Sequence, residues 1–257
     1  MANRCLFCND PLQGRRAKEH VFPQWLLDHL AIREHEVVSA HLSSRGLLIS
    51  TRPQRLSNMI EGRICTTCNN GWMSELEGIN KATLVRLLVS TTSLRDLTAV
   101  ERTSLARWAC KTIWMLHLSS NYRRTVPYGH LHSLCEEAVI PPNVIVVGAQ
   151  HRADHTFSWL QSPTWVVDTA PIDVPRVKAV AEASYKISIQ LRDLLLLVAW
   201  WPESMTYGLG QGVHVPLWVH DPVTWHSKAD WPEITSERSL YAFHTAVTVA
   251  VHSGRAP

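Results

Sequence analysis

The sequence predicts an α+β protein built in two parts, and three observations indicate this class. Four of the six cysteines form two Cys-x-x-Cys pairs in the first part of the chain. From Ser74 to Asn121 the apolar residues recur with a helical period. After Pro141, short β-branched and aromatic runs separated by Gly, Pro and Asp are typical of strands. We therefore expect a cysteine-rich module over residues 1–80 and a mostly antiparallel α+β domain over residues 81–257.

Composition limits the classes of protein that this chain can belong to. The 257 residues are 46% hydrophobic and 18% charged, which is typical of a folded globular protein. The N-terminus lacks the apolar core of a signal peptide, and the longest apolar run, Leu194 to Trp201, is far too short to cross a bilayer. These features predict a cytoplasmic protein without a membrane partner. The formal net charge of +3 does not by itself indicate binding to nucleic acid.

The paired cysteines are the strongest signal in the first part. A Cys-x-x-Cys turn can place two sulfurs on one ion, and four thiolates suit tetrahedral zinc at Zn–S distances of about 2.3 Å. Two Cys-x-x-Cys pairs, with only two further cysteines scattered along a cytoplasmic chain, favour a metal site over disulfides. The sequence therefore predicts a structural zinc site held by Cys5, Cys8, Cys65 and Cys68.

Polar residues of a second kind lie beside these cysteines. Glu19 and His20 stand between the two pairs, and Asn69 follows the last cysteine directly. A carboxylate can bind a hard divalent ion, and an imidazole can take a proton from an attacking water. An Asn at the start of the following helix can supply another oxygen ligand. This order favours metal-assisted hydrolysis of a phosphodiester.

The segments KEHVFPQWL and CTTCNNGWMSELE resemble a known family, the HNH or ββα-metal endonucleases, in the subgroup framed by two zinc knuckles. The resemblance covers roughly residues 3–80. It implies an N-terminal zinc-bound ββα-metal module whose first strand ends at Glu19-His20, whose second strand runs through Met59–Ile64 and whose helix starts at Asn69. It also implies DNA as the substrate, with Mg²⁺ or Mn²⁺ as the catalytic ion and Zn²⁺ as the structural one.

The resemblance assigns roles to four residues. His20 would be the general base, and Glu19 and Asn69 would bind the catalytic divalent ion. Asn58 would brace the loop that carries the base.

Two departures from the family pattern leave alternatives open. Trp72 stands where the family often has its final His, so the ion is held by Glu19, Asn69 and waters alone, or Asn70 or Glu77 assists. The insert between His20 and Cys65 is longer than a minimal motif, and it predicts a helix at Pro23–Leu30 and a hairpin around Val37–Ser50. Its arginines are candidates for contacts to substrate phosphates: Arg45, Arg52, Arg55 and Arg63.

Other functions fit the same residues. Four cysteines alone would also suit a zinc-dependent nucleic-acid- or protein-binding module with a decayed active site. A nuclease could instead act on RNA or modified DNA, or need an activator. Phage defence, mobile elements and phage DNA processing are all compatible settings. The domain over residues 81–257 would then target the enzyme, regulate it, or bind a protein partner or a second copy of the chain.

A long helix is predicted at the start of this second domain. Thr98 and Glu101 form a capping-box pattern at its beginning. Its apolar stripe comprises Leu105, Trp108, Ala109, Thr112 and Leu116. Arg107, Lys111 and Trp114 project from the other side, as a solvated or second packing surface or as a DNA-contacting face.

The rest of this domain shows no catalytic signature. Strands are predicted at Asn143–Gly148, Phe157–Val167, Tyr185–Leu191, Leu194–Trp201 and Val213–Val219, and a final helix near Ser236–Thr248. Cys110 and Cys135 are interpreted as incidental thiols. The spacing of His214, His220 and His226 with Asp221 matches neither a helical face nor a metal knuckle, so we expect no metal there.

Overall fold

The computed structural model describes residues 4–12, 17–42, 47–120, 125–161, 175, 179, 182–201, 206–211, 213–219, 223–226 and 239–250. The chain divides into two compact units. The first combines Met1–Ile79 with Lys111–Val139, and the second combines Asn80–Cys110 with Ile140–Pro257. The first unit thus contains the cysteine-rich segment and also Lys111–Val139, which begins about 30 positions after that segment ends and contains none of the sequence motifs.

A short antiparallel strand pair forms the centre of the first unit. Strand β1 (Ala17–His20) pairs with β4 (Ile60–Ile64), with Glu19 opposite Glu61 and His20 opposite Ile60. The chain then continues into a short helical turn α2 (Thr66–Cys68), a π-helical turn over Asn69–Met73, and helix α3 (Ser74–Leu88). With the elements of the insert between β1 and β4 left out, the order along the chain is strand, strand, helix.

The insert between β1 and β4 has its own elements. Helix α1 (Gln24–His29) begins after Pro23, whose extended backbone and missing N–H suit the position before a helix. Strands β2 (Glu36–Leu42) and β3 (Leu48–Arg55) form an antiparallel hairpin, and residues 43–46 of its connection lie outside the described residues. The helix and the hairpin predicted in this insert are confirmed, and the second strand runs five residues further than expected.

Two further helical segments complete the described part of the first unit. The C-terminal half of helix α4 (Ala99–Ser119) belongs to it from Lys111 onward, and helix α5 (Tyr128–Glu136) follows. Apolar side chains from these and the earlier elements are buried, among them Phe7, Phe22, Leu26, Ile64, Met73, Trp114 and Leu134.

A five-stranded antiparallel sheet forms the core of the second unit, in the order β10-β5-β8-β7-β6. Its strands are β5 (Val144–Gln150), β6 (Phe157–Gln161), β7 (Tyr185–Leu191), β8 (Leu194–Trp200) and β10 (Val215–Trp218). Each overlaps a predicted strand, and β5 runs two residues beyond the predicted Asn143–Gly148. The end of the predicted Phe157–Val167 strand is outside the described residues. Arg192 has φ 50° in the tight β7–β8 turn.

A smaller sheet and a helix complete the second unit. Strand β9 (Thr206–Gly210) pairs in parallel with β11 (Val223–His226) and antiparallel with β12 (Thr248–Ala250). Helix α6 (Ser239–Thr245) precedes β12, so the predicted final helix near Ser236–Thr248 ends three residues early. The molecule is thus mixed α and β with mainly antiparallel sheets, as the sequence predicted.

Helix α4 differs from its predicted amphipathic form. The apolar stripe is buried as expected, but Lys111 and Trp114 on the other side are also fully buried. A helix that is apolar around most of its circumference is normally buried all round. The second packing surface is therefore the correct interpretation for these two residues, and the DNA-contacting one is wrong.

None of the helices in the described ranges is both long enough and apolar enough to span a bilayer.

Candidate metal centre and active site

The four paired cysteines converge on one point of the first unit. Their sulfurs all lie within 4.8 Å of one another. The first pair is held in a turn in which Cys5 N–H donates to Asp10 O and Asn9 adopts φ 63°. The second pair lies at the start of α2, where Cys68 N–H donates to Cys65 Sγ at 3.3 Å. Backbone N–H groups therefore support two of these sulfurs, since Cys65 N–H also lies 3.4 Å from Cys5 Sγ.

Two of the sulfur separations match those of a tetrahedral zinc site. A tetrahedron with Zn–S bonds of about 2.3 Å has S···S edges of about 3.8 Å. The Cys8–Cys65 sulfur distance is 3.6 Å and the Cys5–Cys68 distance is 3.9 Å. Four thiols clustered in this way can bind a metal such as zinc, and among the described residues this is the one group of three or more His, Cys, Asp or Glu side chains with that geometry.

The pKa values of the four-cysteine cluster shift in different directions. A hydrogen bond from Cys68 lowers the pKa of Cys5 to about 4, against the effect of burial. Burial raises the pKa of Cys8 to about 12, and hydrogen bonding to Cys135 and Cys5 raises the pKa of Cys68. A bound cation stabilises thiolates over thiols, so metal binding here would release protons.

His20 stands at the end of β1. The pairing shifts by one residue between Ala17 and Glu19, and Val21 N–H continues the contact by donating to Met59 O at 2.9 Å. Such a bulge changes the direction of the side chains beside it. Burial lowers the pKa of His20, and the positive charges of Arg33 and Lys111 lower it further. The negative charge of Glu77 opposes this shift. The imidazole is therefore neutral near pH 7 and can accept a proton.

A buried lysine connects the two acidic side chains near His20. Lys111 Nζ donates to Glu19 Oε1 at 2.6 Å and to Glu77 Oε1 at 2.7 Å, and the lysine side chain is 0% exposed. Among the described residues, no group hydrogen-bonds to the second oxygen of either carboxylate. Burial raises the pKa of Glu77 and Lys111 opposes that shift. One ammonium between two carboxylates leaves this cluster with a formal charge of −1.

The structure brings Glu19, His20 and Glu77 close enough to affect one another electrostatically. It does not show three ligand groups converging on a divalent ion there, because Lys111 occupies one oxygen of each carboxylate. Asn69 Oδ1 is buried and has no hydrogen-bond partner in the described part of the chain, whereas its Nδ2 donates to Asn70 Oδ1 at 3.0 Å. An unpaired buried acceptor of this kind suits a cation ligand.

Other predicted positions lie around this site. Asn58 is exposed in the 3₁₀ turn Leu56–Asn58, directly before the backbone that pairs with Val21. Trp72, where the HNH motif often has its final His, is half-buried and packs edge-on against the buried Phe7, with ring centroids 5.2 Å apart.

The candidate phosphate-binding arginines differ from one another. Arg63 binds Glu61 through two hydrogen bonds of 2.9 Å, which raise the pKa of Arg63. Arg55 pairs with Glu34 at 3.1 Å on the surface. Arg52 is exposed on β3, and Arg45 lies outside the described residues. Arg52 is therefore the described arginine of this set that has no ion pair.

Two residues near the site, Lys111 and Cys135, were not identified as site residues from the sequence motifs. Lys111 is 92 positions from Glu19, but it is the one Asp, Glu, Lys or Arg between Trp108 and Leu118, and an isolated charge in an apolar helix indicates a buried ion pair. Cys135 Sγ lies 3.7 Å from Cys68 Sγ. Nothing in the local sequence distinguishes Cys135 from an incidental thiol.

The second unit contains a buried polar cluster of its own. Lys186 donates to Val247 O, and Ser188 hydrogen-bonds to His244 Nδ1 at 2.8 Å. Both ring nitrogens of His214 are engaged, since Nδ1 accepts from Gly210 N–H and Nε2 donates to Phe243 O. The other members of the histidine group, His220, Asp221 and the side chain of His226, are outside the described residues.

Comparison of the chain with protein-family models, with curated proteins and with solved structures gives no match. The functional interpretation therefore depends on the residues themselves.

Proposed function

We propose that the first unit is a metal-dependent endonuclease of the HNH type that hydrolyses phosphodiester bonds in DNA. The observation that carries this proposal is a neutral histidine at the end of a short antiparallel strand pair that leads into a helix, with a four-cysteine cluster beside the strand–helix junction. The resemblance of KEHVFPQWL and CTTCNNGWMSELE to HNH motifs supports the same function.

The four-cysteine cluster would hold structural zinc. Its sulfur spacing fits a tetrahedral ion, and its two halves come from chain segments on either side of the insert. Zinc there would fasten the start of α2 to the N-terminal turn, and so keep Asn69 and His20 on a fixed frame.

His20 would act as the general base. Its lowered pKa leaves the imidazole neutral, and at least one ring nitrogen then carries a lone pair for the proton of an attacking water. Glu19 and Asn69 would hold Mg²⁺ or Mn²⁺, with Glu77 as a further oxygen ligand. The ion would supply positive charge at the scissile phosphate when bound. Asn58 would brace the turn before β4, and the insert arginines would contact the substrate backbone, Arg52 most directly.

The contact of Lys111 with Glu19 and Glu77 favours a second candidate function. An ammonium held by both carboxylates supplies a positive charge where the divalent ion would bind. A protein that has replaced its ion by a lysine would be a zinc-dependent nucleic-acid- or protein-binding module rather than an enzyme. The second unit would in either case target or regulate the first, through a protein partner or a second copy of the chain.

A substrate panel tests the proposal. The full-length zinc-loaded chain is incubated with supercoiled plasmid, with plasmid containing modified cytosine, and with single-stranded RNA. Each is tested with Mg²⁺, with Mn²⁺, and with chelator applied briefly enough to keep the zinc content unchanged. We expect nicking or linearisation of plasmid that requires the added ion. Cutting of RNA or modified plasmid alone would change the substrate class. Binding without cutting of any substrate would contradict the nuclease proposal and support the binding module.

A phage-defence or mobile-element role would follow from cleavage of invading DNA. Preference for modified plasmid over plain plasmid in the same panel would support defence against phages that modify their genomes.

A further inference from the structure

A fifth cysteine lies beside the four-cysteine cluster. Cys135 Sγ is 3.7 Å from Cys68 Sγ, as close as the paired sulfurs within the cluster are to each other. Cys135 is not one of the four sulfurs that are mutually within 4.8 Å. It therefore contacts one member of the cluster without sharing the central position that a metal would take.

The structure holds Cys135 in this place. It lies near the end of α5, and that helix is attached to the first cysteine turn because His132 Nδ1 donates to Phe7 O at 3.1 Å. Tyr128 stacks on His132 one turn earlier, with ring centroids 6.0 Å apart. The short sulfur distance thus belongs to a packed interface between α5 and the cluster.

The two cysteine residues differ in exposure. Cys135 is partly exposed, whereas Cys68 is 3% exposed. A small oxidant from solvent can therefore reach Cys135 first. Cys110, the other cysteine outside the cluster, is fully buried in the second unit.

We propose that Cys135 is an oxidation site at which a hydroperoxide joins Cys135 to Cys68, so that the metal site loses one of its four ligands. This inference depends on the proposed zinc site and not on nuclease activity. Cys135 sulfur attacks the peroxide, which breaks the O–O bond and leaves a sulfenic acid on Cys135 and an alcohol, or water from hydrogen peroxide. Cys68 sulfur then attacks the Cys135 sulfur and displaces water.

The overall step is balanced. One metal-bound thiolate, one thiol, one hydroperoxide and one proton give one disulfide, one alcohol and one water. The two sulfurs are oxidised by two electrons in total, and the peroxide is reduced by two. Closing the bond shortens the sulfur separation from 3.7 Å to about 2.05 Å, a small movement for two side chains in contact.

Loss of Cys68 leaves Cys5, Cys8 and Cys65 on the ion. Three thiolates bind zinc more weakly than four, and an open coordination position exposes the ion to competing chelators. Oxidation at Cys135 would therefore release the metal.

Zinc release from the full-length chain tests this proposal. The zinc content of wild type and Cys135→Ser is measured first, and hydrogen peroxide is then added with a colorimetric zinc chelator present. We expect wild type to release one zinc per chain at least about tenfold faster than Cys135→Ser, and dithiothreitol to reverse the loss. Peptide mapping without reduction should find a Cys68–Cys135 disulfide. Cys110→Ala is the matched control and should behave as wild type.

Three results would overturn the inference. Equal release rates in wild type and Cys135→Ser would show that Cys135 has no part in the loss. A disulfide confined to Cys5, Cys8 and Cys65 would place the oxidation inside the cluster. Oxidation of Cys135 to the sulfinic acid without a disulfide would show that Cys68 does not react with it. If the purified chain contains no zinc, the zinc proposal fails, and the same peptide map still decides whether Cys68 and Cys135 pair.

Discussion

At the scale of single residues, the contact of Lys111 with Glu19 and Glu77 is the feature that most affects the chemistry of the first unit. A fully buried ammonium is stable only when it is paired and hydrogen-bonded, and here two carboxylates satisfy that requirement. The same ammonium competes with any divalent ion for these oxygens. Lys111 therefore contributes to the stability of the fold and would oppose binding of the proposed divalent ion.

Replacing Lys111 with methionine should separate these two effects. The change keeps the apolar stem and removes the charge, which leaves two carboxylates close together. We expect Lys111→Met to lower the free energy of unfolding by about 3 kcal/mol at pH 7. The loss should shrink towards pH 5, because burial already raises the pKa of Glu77 and protonation removes the repulsion. Urea unfolding at both pH values measures this.

The same variant should bind Mn²⁺ more tightly than wild type, as measured by titration calorimetry. Lys18→Met, an exposed lysine on the same strand as Glu19, is the control and should change neither quantity. Full stability of Lys111→Met at pH 7 would show that the ion pairs contribute nothing to the fold.

Replacing a single cysteine of the cluster should be enough to unfold the cysteine-rich part of the first unit. Structural zinc contributes its binding free energy to folding, on the order of 10 kcal/mol in small zinc modules. We expect Cys65→Ser to lose zinc and to unfold the cysteine-rich segment, measured by zinc content and by circular dichroism during heating. An unchanged melting curve with zinc absent would contradict a structural role for the metal.

At the scale of elements, the capping box at the start of helix α4 is confirmed as predicted. Thr98 Oγ1 accepts from Glu101 N–H at 3.2 Å, and Glu101 Oε2 accepts from Thr98 N–H at 2.9 Å. These two bonds satisfy donors that have no partner within the helix. They define where α4, the longest helix among the described residues, begins.

Removing this cap should weaken the helix by a predictable amount. We expect Thr98→Ala to cost about 1 kcal/mol in the free energy of unfolding, because the Glu101 N–H loses its acceptor. Thr103→Ala, inside the same helix, is the control and should cost less. Equal losses in the two variants, measured by urea unfolding, would show that the cap contributes no more than an ordinary helical threonine.

The outcome of sequence prediction at this scale follows from how each element is buried. Strands β5 and β8 were predicted closely because their long apolar runs are buried in the centre of the sheet. Strand β7 alternates Lys186, Ser188 and Gln190 with apolar residues, which normally indicates a solvated face, yet all three polar residues are buried. They are hydrogen-bonded to α6, to the residues after it and to His155.

Three short strands of the second unit were not predicted, although the equally short β10 was, because no long apolar run marks them. Strands β9, β11 and β12 have five residues or fewer, and pairing between distant segments decides their structure. In the candidate site, residues in or next to the two Cys-x-x-Cys segments were identifiable, since local spacing carries that signal. Lys111 and Cys135 enter the site through tertiary packing, on which the spacing of motifs gives no information.

At the scale of the whole molecule, buried imidazoles should make the protein sensitive to acid. Burial lowers the pKa of His130 in the first unit and of His214 in the second to about 4. The unfolded chain binds these protons near pH 6.5 and the folded chain does not. The free energy of unfolding should therefore fall by roughly 3 kcal/mol for each of these two histidines as the pH falls from above 6.5 to 4.

If the two buried histidines destabilise the fold in acid, the urea concentration at the midpoint of unfolding should fall steadily from pH 7.5 to 6 to 5. His130→Gln should lose less stability over that interval than wild type, because it lacks one of the buried imidazoles. His35→Gln, at an exposed position, should match wild type. A midpoint that does not change between pH 7.5 and 5 would show that the buried histidines are protonated in the folded chain.

The role of His20 tests the proposed function most directly. The measurement compares single-turnover rate constants for plasmid cleavage by wild type, His20→Ala and His35→Ala, at saturating Mn²⁺ and equal zinc content. Loss of a general base typically lowers the rate by about 10²-fold or more, so we expect that decrease for His20→Ala and no change for His35→Ala. Equal rates for wild type and His20→Ala would contradict His20 as the base of a nuclease.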